Sequence, residues 1–162
     1  MDDRDEALRR ARALFTEGYQ LQMAGELDAA IERYLESIAC HPTAEAHTFL
    51  GWTYSFQDKL DDAIAECEKA IAVDPDFGNP YNDIGSYLFK QGKLDDAIPW
   101  LERAIAAKRY EPRHFPHCNL GRIYWAKGQL NRAIEEFERA LALDAESKFA
   151  QGALAAVRRE LQ

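Results

Sequence analysis

No apolar run in this 162-residue sequence approaches the roughly 18 residues that a membrane-crossing helix needs, so membrane insertion is not expected. The start, MDDRDEALRR, has no apolar segment of the kind a secretory leader carries. Cysteine is scarce and odd in number, three residues without paired spacing, which excludes a disulfide framework and makes a reducing cytoplasm the expected setting. An excess of positive charge is absent as well. The formal charge is −8 at pH 7, which argues against bulk attraction to nucleic acid or anionic lipid. Catalytic signatures are missing: there is no Gly-x-Ser-x-Gly elbow, no His-Glu-x-x-His helix, no Cys-x-x-Cys pair and no glycine-rich phosphate cradle. No enzymatic activity and no cofactor are therefore expected. What the chain does have is 47% apolar and 30% charged residues, a balance that buries a core.

One motif is written four times: Gly25-Glu-Leu-Asp-Ala-Ala-Ile31, Asp58-Lys-Leu-Asp-Asp-Ala-Ile64, Gly92-Lys-Leu-Asp-Asp-Ala-Ile98 and Gly128-Gln-Leu-Asn-Arg-Ala-Ile134. Successive copies start 33, 34 and 36 residues apart. A second glycine stands seven residues before each copy (Gly18, Gly51, Gly85, Gly121). Apolar residues at helical spacing on both sides of the motif predict two helices per unit, separated by a turn at Gly25, Asp58, Gly92 and Gly128. Aspartate tolerates a left-handed backbone nearly as well as glycine, so Asp58 suits the turn. The small residues Gly18, Gly51, Gly85, Gly121 and Ala30, Ala63, Ala97, Ala133 predict close helix contacts. Such a unit cannot bury its apolar face alone, and stacking of neighbours into an all-α solenoid follows.

These residues resemble the tetratricopeptide repeat (TPR) family: a period near 34 residues, Leu50-Gly51 with Tyr54, Leu120-Gly121 with Tyr124, the alanine of Leu-Asp-Asp-Ala-Ile, and Asp74-Pro75 closing a unit. The resemblance implies a right-handed superhelical α-solenoid of helix-turn-helix repeats. It predicts a single domain over residues 1–162, with repeats at about 11–43, 44–77, 78–113 and 114–147. A stripe of Phe149-Ala150, Leu154, Val157 and Leu161 predicts an amphipathic capping helix over about 148–161. Residues 2–10 are expected to extend the first helix, with Asp2 and Asp3 at its start.

In this family the side of each first helix that faces away from the core lines a concave, peptide-binding groove. That places Phe15 and Tyr19, Trp52 and Phe56, Asn79, Asn82, Phe89 and Lys90, and Phe115, Arg122 and Trp125 in the groove, the aromatics as anchors and the amides and cations as polar contacts. Some family members clamp a chaperone tail carboxylate with Lys, Asn and Arg; here Phe15 and Tyr19 stand where the clamp needs Lys and Asn. The implied function is a non-catalytic scaffold binding a peptide or helical segment of another protein, with homo-oligomeric self-assembly as the alternative. Trp100, on an otherwise charged convex side, is a candidate second contact or a lid on its neighbours. His114, His117 and Cys118 at i, i+3, i+4 have metal-ligand character, but His117 shares a packing register with Leu14, His47 and Tyr81, so no metal site is assigned. Lys108, Arg109 and Tyr110 lie in a connection two residues longer than its counterparts, a loop with only weak nucleic-acid character.

Overall fold

The computed structural model describes residues 2–162. Among the described residues there are nine helices and no strand: α1 (Asp3–Met23), α2 (Leu27–Cys40), α3 (Ala44–Phe56), α4 (Leu60–Val73), α5 (Asn79–Lys90), α6 (Leu94–Ala106), α7 (His114–Ala126), α8 (Leu130–Leu143) and α9 (Lys148–Glu160). The early start of α1 follows from its cap, where the Asp2 carboxylate accepts from the backbone N–H of Asp5 at 2.8 Å. The turns that separate α1 from α2, α5 from α6 and α7 from α8 carry Gly25, Gly92 and Gly128 at φ of 82°, 78° and 74°. Between α3 and α4 the same backbone is adopted by Asp58, at φ 60°.

Each odd-numbered helix packs against the even-numbered helix that follows it, and each even one against the next odd one. Odd helices also touch one another in succession, α1 to α3 to α5 to α7 to α9, so they form the inner wall of the solenoid. The core within each hairpin repeats one contact. Tyr34, Cys67, Leu101 and Phe137 are fully buried on the even helices, opposite Gly18, Gly51, Gly85 and Gly121. A Cβ on Gly85 would stand 2.5 Å from Leu101, and one on Gly121 would stand 2.5 Å from Phe137. In the second hairpin the facing residue is the small Cys67, and the backbones close in further: a Cβ on Gly51 would lie 2.9 Å from the carbonyl oxygen of Ala63.

Hairpins are also tied to their successors by a repeated polar contact. Gln57 donates to Asp28 at 2.9 Å, Gln91 donates to Asp61 at 2.8 Å, and Lys127 pairs with Asp95. The aspartate one residue inside α2, α4 and α6 thus both faces the helix dipole and receives a donor from the next turn along the chain. Helix α9 packs on α8 through Ala153, Leu154 and Val157 against Ala133 and Phe137, covering the apolar end of the stack as a capping helix must.

Substituting Gly51→Ala forces a methyl group against backbone rather than against a side chain that can move. A loss of about 1–3 kcal/mol is expected, the scale of overpacking. Because contacts are nearest-neighbour, hydrogen exchange should quicken in α3 to α5 and stay unchanged in α8 and α9. Equal quickening in all helices would contradict local coupling.

Candidate functional site

The inner wall carries a cavity of about 260 Å³ formed by three odd helices and one loop. Helix α3 contributes Thr48, Phe49 and Trp52, α5 contributes Asn79, Asn82 and Asp83, and α7 contributes Phe115. Tyr110 and Pro112 enter from the α6–α7 connection. Four aromatic rings and a proline therefore surround two amides and one carboxyl. Asn82 is buried and accepts from the amide of Asn119 at 2.9 Å, while the Oδ1 of Asn119 accepts from Arg122 at 3.4 Å. This polar ladder crosses from α5 to α7 beneath the groove.

A second cavity, of about 380 Å³, opens toward the C-terminal end and is walled by Phe89, Arg122, Trp125, Ala126 and Phe149. The Arg122 guanidinium lies over the Phe89 ring at 4.6 Å and reaches the Phe149 ring at 5.9 Å. Trp125 meets Phe137 edge-on and donates its indole N–H to Glu160 at 3.1 Å. Toward the N-terminal end runs an aromatic rib. Phe15 meets Phe49 edge-on at 5.2 Å, Tyr19 meets Phe49 at 5.8 Å, Phe49 meets Trp52 at 5.7 Å, and Trp52 meets Phe56 at 5.1 Å. Tyr19, Phe56 and Phe115 are 41%, 57% and 46% exposed, an apolar strip on the surface of the kind that marks interaction sites.

The structure thus brings Trp52, Asn79, Asn82 and Phe115 into one cavity and Phe89, Arg122 and Trp125 into another. Phe15, Tyr19 and Phe56 lie on the rib. Lys90 belongs to neither cavity; its ammonium sits 5.9 Å over the Tyr87 ring. Sequence reasoning passed over Phe49, Asp83 and Asn119, which share one register two residues before the packing glycine. The cavity wall takes in Phe49 and Asp83 of that register beside Trp52, Asn82 and Phe115 of the expected one. Thr48 lines the first cavity with its hydroxyl bonded to the Ala44 carbonyl, and Cys118 is buried against Ala140 and Ala150.

Trp100 is half-buried on the convex side. It occupies the register of Glu66 and Glu136, each of which takes a hydrogen bond from a histidine on the preceding helix: His47 at 2.7 Å and His117 at 2.8 Å. Lys69 and Arg139 close those pairs one turn on. In the third hairpin Tyr81 and Trp100 stack instead, at 6.2 Å, with the Arg103 guanidinium 4.7 Å over both rings. One convex slot is filled by ionic chemistry twice and by aromatic chemistry once. Burial alone would raise the Glu66 carboxyl, but the His47 hydrogen bond and the Lys69 ammonium outweigh it and hold it below the usual range.

The potential metal ligands diverge: His114 faces Asp144 at 3.6 Å, His117 faces Glu136, and Cys118 is in the core. Among the described residues no three His, Cys, Asp or Glu side chains gather as a metal site. In the long connection, Arg109 pairs with Asp74 at 2.7 Å and Glu45 at 3.0 Å and lies 4.2 Å over the Phe77 ring, so its charge is neutralised by acids of earlier units. No described helix is long and apolar enough to cross a membrane.

Asp83 has the most perturbed carboxyl of the groove. Burial raises it to about 7, with the Asn82 amide and the Lys90 charge offsetting only part of the effect. The folded chain therefore holds a proton on Asp83 that the unfolded chain, at the ordinary value of 3.8, has already released. Between those values rising pH costs stability at this group. Asp83→Asn should gain on the wild type as pH rises from 4 to 7, by roughly 1–3 kcal/mol, and the difference should level off above that. Parallel urea titrations at pH 4 and pH 8 with the same stability difference would show that Asp83 is not desolvated.

Sequence profiles of the tetratricopeptide repeat match residues 44–77 and residues 76–146. Small glutamine-rich tetratricopeptide repeat-containing protein 2 of Mycosarcoma maydis is 33% identical over 90 residues, which are 54% of this chain and 25% of that protein. The chain thus aligns with about a quarter of its curated relative's length. Among solved structures, PilF of Pseudomonas aeruginosa superposes with a TM-score of 0.88 at 24% identity, covering 98% of this chain and 71% of PilF. The first TPR of Spaghetti (RPAP3), bound to the HSP90 peptide SRMEEVD, superposes with a TM-score of 0.66 at 24% identity, covering 73% of this chain and 92% of that one. At such identities the likeness carries the fold alone. With the profiles spanning residues 44–146 and the stacked hairpins superposable over nearly the whole length, the chain belongs to the tetratricopeptide repeat family.

Proposed function

We propose that this protein is a non-catalytic, cytoplasmic scaffold that holds an extended or helical segment of a partner protein in its concave groove. The observation that carries the reading is the pair of aromatic-walled cavities along one inner wall, the first containing Trp52 and the second Trp125. Both tryptophans are half-buried: packed firmly enough to be held in place, open enough to be covered by a ligand. Each cavity is smaller than or at the low end of the roughly 300–1,000 Å³ of sites that enclose a whole small molecule, and suits one side chain of a longer segment. Two such sockets separated along a groove read as successive anchors of a single chain. That the RPAP3 domain binds a peptide on the same fold supports this reading. The alternative is self-assembly through the groove or the convex face; its convex route is disfavoured by Trp100, which is engaged by Tyr81 and Arg103 within its own hairpin.

The test is selection from a random library of short linear peptides on the purified chain, followed by affinity measurement on the double variant Trp52→Ala with Trp125→Ala. Helical content should stay nearly intact while affinity for the selected peptides falls by about 2 kcal/mol or more, the scale of buried aromatic hot spots. Peptides that bind the double variant as tightly as the wild type would place the contact surface elsewhere.

A further inference from the structure

We propose that the cavity between Trp52 and Phe115 is a socket for a cationic side chain, lysine or arginine, of the partner segment, with Asp83 as its counter-charge. The inference rests on the groove reading above and adds the chemistry of the partner to it.

Three observations point the same way. The first is that Asp83 is the acid without an ionic partner, its carboxyl met only by the Asn82 amide. The other half-buried or buried acids of the inner and convex faces are paired: Glu66 with Lys69 and His47, Glu136 with Arg139 and His117, Glu45 and Asp74 with Arg109. None of the ion pairs among the described residues includes Asp83. Lys90, the cation that acts on it from a distance, rests over the Tyr87 ring.

The second is the nature of the walls. Trp52, Phe49, Tyr110 and Phe115 line the same cavity as the carboxyl, and the faces of aromatic rings attract cations, the more so where water is displaced. Three arginines of this protein already lie 4.2–4.7 Å over aromatic rings, Arg103 over Tyr81 and Trp100, Arg109 over Phe77, and Arg122 over Phe89.

The third is elimination by solvation. An apolar occupant would strip the remaining water from Asp83 and leave the carboxyl unpaired, which is costly. An acidic occupant would add a second negative charge beside it. A lysine or arginine satisfies the carboxylate with a charge-assisted hydrogen bond and lays its aliphatic stem along the rings. The net charge of −8 also favours the approach of a basic segment.

The experiment uses the purified full chain and peptides selected from a random library of short linear sequences. Each lysine and arginine of a selected peptide is replaced in turn by norleucine, which keeps the stem and removes the charge. One replacement should weaken binding to the wild type by about tenfold or more, and the same replacement should matter less than about twofold on Asp83→Asn. Asp83→Asn is nearly isosteric, and its far-ultraviolet circular dichroism should match the wild type. Peptides that lose affinity on Trp52→Ala but tolerate every norleucine replacement would overturn the cationic socket while leaving the groove reading intact. Peptides indifferent to Trp52→Ala would overturn both. A charge dependence that persists undiminished on Asp83→Asn would assign the cation to another acid and overturn the proposal.

Discussion

Every hairpin of this chain is organised around a place where one helix has no side chain and its partner has a buried one. Gly18 receives the ring of Tyr34, Gly85 the isobutyl group of Leu101 and Gly121 the ring of Phe137. These contacts fix the separation of the two helices, and the fixed separation sets where the next hairpin can dock. Unit two shows the constraint from the other side. When the facing residue shrinks to Cys67, the helices approach until the backbone of Ala63 itself limits the contact. The close approach is thus kept while the residues that fill it change, because an unfilled gap would forfeit dispersion contacts along both helices.

The same tolerance for exchanged chemistry is visible on the convex side. His47 with Glu66 and His117 with Glu136 solve one slot by a hydrogen-bonded pair, and Tyr81 with Trp100 solves it by stacking. The flanking cation, Lys69, Arg139 or Arg103, serves either solution, as an ion-pair partner in two hairpins and as a cation over rings in the third. A repeat protein can make such exchanges unit by unit because each unit answers only to its neighbours. For Trp100 this supplies a role inside the fold, of the lid kind that was one of the two its sequence context suggested.

The hairpin architecture was legible because it rests on local spacing. The four copies of the turn motif, the packing glycines and even the left-handed Asp58 follow from residue type at fixed intervals. The groove was legible only to within one register. Helical periodicity identifies the side opposite the core, but not how neighbouring odd helices rotate when they pack on each other. That packing puts Cys118 in the core and brings Phe49 and Asp83 to the cavity wall beside Thr48 and Asn82. Eleven groove residues were named from sequence, and Lys90 alone among those beyond the N-terminal rib lies outside both cavities. Asp83 escaped notice for a physical reason: an aspartate in a helix reads as solvated until the rings around it are in place.

Those rings come in part from the one segment that departs from the repeat. The connection after α6 carries extra length, which carries Tyr110 back across the start of α5. There Gly78 donates its N–H to the Arg109 carbonyl at 2.9 Å, and the Arg109 N–H returns to the Asp76 carbonyl at 3.0 Å. A Cβ on Gly78 would stand 2.5 Å from the Tyr110 ring, so the glycine is what lets the tyrosine lie flat against the chain. Gly78 is one of two glycines that the repeat pattern leaves without a role, and the long connection is the place where the period stretches from 34 to 36 residues. Both irregularities meet at one point, beside Asp83. A regular solenoid would present the carboxyl on an open wall in water, where it would ionise as any surface aspartate does. The inserted loop closes that wall with Tyr110 and Pro112 and turns a stretch of groove into a socket. The departure from the repeat, more than the repeat itself, gives this groove a chemical preference.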